Sequence, residues 1–123
     1  MIKTNKVVAL VRDFPFAARL AKIAKENGAT IQNFDDARRL IASAKESPPT
    51  FVVLDWDKCE ADAFKVLKEF AGDADLRGVP TVGYLSGGNP FLKKEAERAG
   101  CHRVYGKTGF IKGLNDLFLR YTI

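Results

Sequence analysis

Four apolar residues, Phe51-Val52-Val53-Leu54, follow Pro48-Pro49 and run directly into Asp55-Trp56-Asp57. A short unbroken apolar run after a turn signal predicts a strand buried on both faces, as the middle of a parallel sheet requires. Asp55 then stands at the carboxyl end of that strand. In open α/β sheets ligands bind along this edge, so a carboxylate there is placed for chemistry or ion binding more than for packing.

The rest of the chain supplies the other strands of such a sheet. Lys6 to Val11 is a β-branched run ending at Arg12-Asp13, and Pro15 suits the first turn of a helix whose apolar positions are Phe16, Leu20, Ile23 and Ala24, stopped by Gly28. Ala29 to Phe34 alternates as an edge strand does, and Asp35 or Asp36 can cap a helix carrying Ala37, Leu40, Ile41 and Ala44. After the central strand, residues 62–70 form an amphipathic helix. Thr81 to Leu85 is the fourth strand, Ser86-Gly87-Gly88-Asn89-Pro90 a loop, and a short helix continues to Gly100. His102 to Tyr105 is the fifth strand, ending at Gly106-Lys107, and Phe110, Ile111, Leu114, Leu117, Phe118 and Tyr121 stripe the last helix. Five strands alternating with five helices predict an α/β fold: a flavodoxin-like, doubly wound, five-stranded parallel sheet of order 2-1-3-4-5.

Length and composition exclude several classes. The 123 residues make one globular domain over residues 1–123, with no apolar run long enough to span a bilayer and no long apolar segment near the N-terminus, so a cytoplasmic protein is expected. Two cysteines, Cys59 and Cys101, and one histidine, His102, form no disulfide framework, zinc site or triad spacing. The net charge of +5 is spread over helices in which basic residues have acidic neighbours, which reads as a solvated surface rather than a nucleic-acid patch.

In the order 2-1-3-4-5, Asp13, Asp55, Ser86 and Lys107 all fall around one crevice. Two carboxylates and a carbonyl such as that of Asp57 suit Mg²⁺, which takes oxygen ligands. A lysine and a hydroxyl beside a carboxylate suit an added phosphoryl group. Each residue also has a plainer role open to it: Asp55 and Asp13 as helix caps or loop carboxylates, Ser86 in local backbone bonding, Lys107 as a surface lysine, Trp56 as a half-buried aromatic.

Val52-Val53-Leu54-Asp55, Val82-Gly83-Tyr84-Leu85-Ser86-Gly87, and Ala99-Gly100 with Lys107 seven residues on give the chain a resemblance, over nearly its whole length, to the CheY-like receiver domains of two-component response regulators. The resemblance implies Asp55 as phosphoacceptor, Ser86 as switch hydroxyl and Lys107 as ion-pair partner of the phosphoryl group. It implies Mg²⁺ held by Asp13, Asp55 and the Asp57 carbonyl. It further implies a histidine kinase or phosphotransfer protein as donor, a downstream protein partner or output domain, and no enzyme activity beyond the domain's own phosphorylation and dephosphorylation. The partner surface it implies (Phe91, Lys94, Arg98, Arg103, Tyr105) is basic here, which suits an acidic partner or a homodimer. No output segment follows Ile123, so the chain is expected either to act by protein contact or to be part of a longer protein.

Three positions depart from the family pattern: Arg12 replaces the first acid of the strand-one pair, Thr108 follows the lysine where proline is usual, and Val104 stands at the switch-aromatic position with Tyr105 next to it. Arg12 can reach Asp55 and occupy the cation's place, which predicts weak Mg²⁺ binding, or it can point outward. The alternative function is therefore a degenerate receiver that binds partners without phosphorylation, Arg12 replacing the metal's charge. A flavin-binding protein is a weaker third reading, because Arg12-Asp13-Phe14-Pro15-Phe16 is no Ser/Thr-rich phosphate loop.

Overall fold

The computed structural model describes residues 5–87 and 89–121. In chain order the elements are β1 (Asn5–Leu10), α1 (Phe14–Glu26), β2 (Ala29–Phe34), α2 (Ala37–Glu46), β3 (Phe51–Asp55), α3 (Glu60–Ala71), β4 (Thr81–Leu85), α4 (Pro90–Arg98), β5 (Arg103–Gly106) and α5 (Lys107–Tyr121). All strand pairs are parallel and the sheet order is β2-β1-β3-β4-β5, as the sequence predicts. The largest boundary difference is at α5, which starts at Lys107 directly from β5 instead of near Phe110.

Strand alternation divides the core in two. Val8, Leu10, Val52, Leu54 and Val104 point to one face, covered by α2, α3 and α4. Val7, Ala9, Phe51, Val53, Val82 and Tyr84 point to the other, covered by α1 and α5. Every residue of β3 is buried, which explains why that strand reads as a continuous apolar run while β2, at the sheet edge, alternates.

Local chemistry sets the helix starts. Asp13, Asp36 and Asn89 each accept a backbone N–H three residues on, from Phe16 (3.1 Å), Arg39 (2.8 Å) and Leu92 (3.0 Å), so α1, α2 and α4 carry side-chain caps. Of the two candidates for α2, Asp36 is the cap. α3 has no side-chain cap at Cys59, but Glu60 and Asp62 lie in its first turn, where carboxylates complement the helix dipole. Gly28 follows α1 with φ +69, a left-handed conformation that disfavours other residues.

Trp56 is not half-buried but only 1% exposed. Its indole lies against the α2–α4 face of β4 at Gly83, where an added Cβ would stand 2.5 Å from the indole nitrogen. A glycine in mid-strand thus makes the slot that takes the large ring in. Phe64 meets that ring edge-on at 4.9 Å.

Candidate functional site

The carboxyl ends of β1, β3, β4 and β5 bring together the residues expected there. Asn33, near the end of β2, fixes the first of them: its side-chain amide donates to the Val11 carbonyl (2.9 Å) and accepts the Val11 N–H (3.0 Å), extending the β1–β2 pairing beyond Leu10. Arg12 and Asp13 leave that clamp in different directions.

The Arg12 guanidinium points outward. Its Nε and Nη2 donate to the Asp35 carbonyl at 3.1 and 2.8 Å, and Nη2 pairs with Asp62 of α3 at 3.3 Å. Only the Arg12 backbone N–H approaches Asp55, at 3.4 Å from Oδ2. Of the two orientations open in the sequence, the one in which Arg12 takes the cation's place beside Asp55 is not the one adopted.

Asp55 is 0% exposed. Its Oδ1 accepts the N–H groups of Asp57 (2.9 Å) and Lys58 (3.1 Å), which folds the β3–α3 loop back over the strand end. A buried carboxylate is tolerated when donors satisfy it, and here backbone amides do so.

Asp13 accepts the Lys107 ammonium on Oδ2 at 2.8 Å while its Oδ1 caps α1. The Lys107 bond and then the Phe16 N–H hold the Asp13 carboxyl below its ordinary range, and the same bond to Asp13 holds Lys107 above its own. The ammonium lies 5.0 Å from the ring centre of Phe16 and 5.8 Å from that of Tyr84, and the charges of Asp57 and Asp55 also act on it.

Ser86 reaches the site through another residue. Its hydroxyl donates to Asp57 Oδ2 at 2.6 Å and its N–H to Asp57 Oδ1 at 2.8 Å, so the Asp57 carboxylate ties the β4–α4 loop to the β3–α3 loop. The expectation gave Asp57 a role through its carbonyl and placed the Ser86 hydroxyl at Asp55. The contacts instead join these two side chains to each other.

Asp13, Phe16, Arg19, Ser86 and Lys107 border an open cleft of about 550 Å³. A larger groove of about 680 Å³ between α2 and α3 is lined mainly by charged side chains of both signs and lies away from Asp55. On the predicted partner surface Phe91 is 69% exposed, Lys94 and Arg98 are exposed, and the Arg103 guanidinium covers the half-buried Tyr105 ring at 4.8 Å. His102 is exposed, and its Nδ1 accepts the Thr81 N–H at 3.1 Å, a structural bond between the starts of β4 and β5.

Receiver-type chemistry calls for a divalent cation, which needs several oxygen ligands free to turn toward it. Among the described residues no group of three acidic, His or Cys side chains is gathered in that way. Asp13 is divided between Lys107 and the α1 N-terminus, and Asp55 among three backbone N–H groups. As arranged these residues do not fit the ion, and Lys107 supplies the positive charge that Asp13 meets.

Tyr84 was not singled out in the sequence because it stands inside an apolar run. It pairs in register with Asp55 on the neighbouring strand, is 0% exposed, and packs against Phe16 and Phe110 at ring separations of 4.4 and 5.6 Å. Burial, and then the charge of Asp55, push its phenol far above the ordinary range, so the group stays protonated. Period-two alternation was the available signal: Val53 and Asp55 share a sheet face, and the register puts Val82 and Tyr84 beside them.

No protein-family model matches the chain, and no curated protein sequence matches it. Solved structures do. A response regulator from Hahella chejuensis superposes with a TM-score of 0.85 at 14% identity, covering 96% of this chain and 95% of that one. The receiver domain of a sensor histidine kinase from Pseudomonas aeruginosa, with a magnesium ion in its active-site cleft, gives 0.81 at 13% identity over 97% and 98%. A chemotaxis response regulator of Vibrio cholerae gives 0.81 at 16% over 97% and 99%. The chain thus has the fold of the response regulator receiver domains.

Proposed function

We propose that the protein is a receiver module of a two-component phosphorelay, accepting a phosphoryl group on Asp55 from a histidine kinase, a phosphotransfer protein or a small acyl phosphate. The observation that carries this reading is the convergence of Asp55 with the Asp13–Lys107 pair at the ends of three strands that are distant in sequence. In the transfer an Asp55 carboxylate oxygen forms a bond to phosphorus as the bond from phosphorus to the donor breaks: P–N in a phosphohistidine, whose imidazole leaves with the electron pair and a proton, or P–O in an acyl phosphate. With acetyl phosphate the electron pair leaves on acetate and no proton is exchanged. The Lys107 ammonium stabilises the charge on the transferred group. Asp13 and Asp55 would hold Mg²⁺ only if Asp13 gave up Lys107, so weak binding of the ion is expected.

The added charge then acts on the β4–α4 loop. Ser86 follows the phosphoryl group only by letting go of Asp57, and that exchange reshapes the surface around Phe91, Lys94, Arg98, Arg103 and Tyr105, which meets a downstream partner. The module works in the cytoplasm; among the described residues no helix is long and apolar enough to cross a membrane.

The complete burial of Asp55 favours a second reading, in which the carboxylate only locks its loop and the domain binds partners without phosphorylation. In that case Lys107, rather than Arg12, supplies the cation's charge. Incubation with acetyl phosphate and Mg²⁺ followed by intact-mass measurement separates the two. A single phosphoryl adduct on the wild type, absent in Asp55→Asn, supports the first reading. An unmodified wild type under the same conditions supports the second. The amide introduced by Asp55→Asn keeps one carbonyl oxygen for the Asp57 and Lys58 N–H groups, so the loop survives the substitution.

A further inference from the structure

Tyr84 Oη is buried and has no hydrogen-bond partner. Buried polar groups are nearly always paired, and an orphan hydroxyl at the edge of a cluster of ionised groups calls for an explanation. The ring cannot swing out to water, because Phe16, Phe110 and the Lys107 ammonium surround it. The phenol lies close enough to Asp55 for that carboxylate to act on it both by charge and as a potential acceptor, with Asp13 and Asp57 acting more weakly, yet Oη makes no hydrogen bond of formed geometry to any of them. The Ser86 hydroxyl, at the end of the same strand, is already given to Asp57.

Resting on the phosphoacceptor reading above, we propose that Tyr84 Oη donates a hydrogen bond to the phosphoryl group as it arrives on Asp55, ahead of the Ser86 hydroxyl, which must first let go of Asp57. A phosphoryl group brings three strong acceptor oxygens to a place where the carboxylate oxygens are already occupied by backbone N–H groups. Tyr84 is a neighbouring donor without a formed hydrogen bond, and packing holds it there before the group arrives.

Tyr84→Phe removes the hydroxyl and keeps the ring. In intact-mass time courses with acetyl phosphate and Mg²⁺, we expect adduct formation in this variant to be slower than in the wild type by about tenfold, the effect of one hydrogen bond. Ser86→Ala is expected to slow it less. A second readout follows the hydroxyl directly: of the three tyrosines, labelled with ¹³C at Cζ, the resonance that is missing in Tyr84→Phe should shift when trifluoroberyllate, a stable phosphoryl mimic, is added. Equal rates in the wild type and Tyr84→Phe together with an unmoved Tyr84 resonance overturn the proposal and leave the phosphoacceptor reading standing. Faster labelling of Tyr84→Phe overturns it too, since the phenol would then be an obstruction, and so does a larger loss in Ser86→Ala. A wild type that takes no phosphoryl group overturns the reading and this proposal with it.

Discussion

The two faces of the sheet are packed by different means. Toward α1 and α5 the layer is built from rings: Phe16, Phe51, Tyr84, Phe110, Phe118 and Tyr121, with Phe51 meeting Phe118 nearly edge-on at 5.3 Å. Toward α2, α3 and α4 it is built mostly from aliphatic and small side chains, with Phe70 and Trp56 as buried rings, and Trp56 is admitted by a glycine. Adjacent residues at the end of β1 go to different sides. Asp13 joins Lys107 above the ring layer, while Arg12 turns to Asp35 and Asp62 beside the aliphatic one. An aromatic face attracts a cation resting on it, which an aliphatic surface does not. The charged centre is therefore supported from the aromatic side, and the aliphatic side serves to hold the sheet together.

The strongest challenge to that contrast is Phe110→Ala. Phe110 is 0% exposed and touches Phe16, Tyr84 and Tyr105. Removing such a ring leaves a cavity and costs about 3–5 kcal/mol. Urea unfolding followed by circular dichroism should show a midpoint far below that of the wild type. If the ring layer supports the site, acetyl phosphate labelling of the surviving folded protein should also slow, whereas a deletion on the other face, Leu40→Ala, should lower stability without that loss. Equal effects of the two on labelling would remove the distinction between the faces.

Gly83→Ala probes the aliphatic face. The new Cβ would lie 2.5 Å from Trp56 Nε1 and 2.7 Å from the Leu54 carbonyl oxygen, and the latter belongs to the neighbouring strand and cannot rotate away. Overpacking of this kind costs about 1–3 kcal/mol. Trp56 is the chain's one tryptophan, so its emission should change along with the unfolding midpoint. An unchanged spectrum and midpoint would mean that the slot is looser than the distances indicate.

Much of this arrangement was legible in the sequence, and what was not has a physical cause. The β3 run and the glycine and proline punctuation gave the five β-α units, and Asp55 falls at a strand end because an apolar strand stops where its first carboxylate appears. Asp13 and Lys107 were expected in one crevice, and they form an ion pair there. Side-chain direction was beyond reach. Nothing local says that Arg12 finds Asp62, fifty residues on, or that Ser86 finds Asp57, because these pairs exist only after the loops are folded over the sheet. Trp56 was expected half-buried because its slot is made by Gly83, on another strand. Tyr84 was hidden by its apolar neighbours, although its face could be deduced once the β3–β4 register was known.

The smallest effect concerns the Asp13–Lys107 pair, and its sign can be worked out from both partners. Asp13 is held below its reference value of 3.8, so its contribution to stability is present above that pH and is lost as the pH falls through the depressed folded value. Lys107 is held above its reference value of 10.5, so its contribution is present below that pH and is lost as the pH rises through the raised folded value. The pair therefore stabilises the fold between these limits. Its side chains remain 33% and 22% exposed, and solvent weakens the effect. Lys107→Met removes the bond and keeps most of the stem over Phe16. Thermal unfolding midpoints of the wild type and this variant should differ most near neutral pH and converge below pH 3.8 as Asp13 is protonated. Because Lys107 lies on the ring layer, a gap that persisted unchanged into acid would show that its contribution is packing over Phe16 and Tyr84, and that the aromatic face holds the lysine without help from the carboxylate.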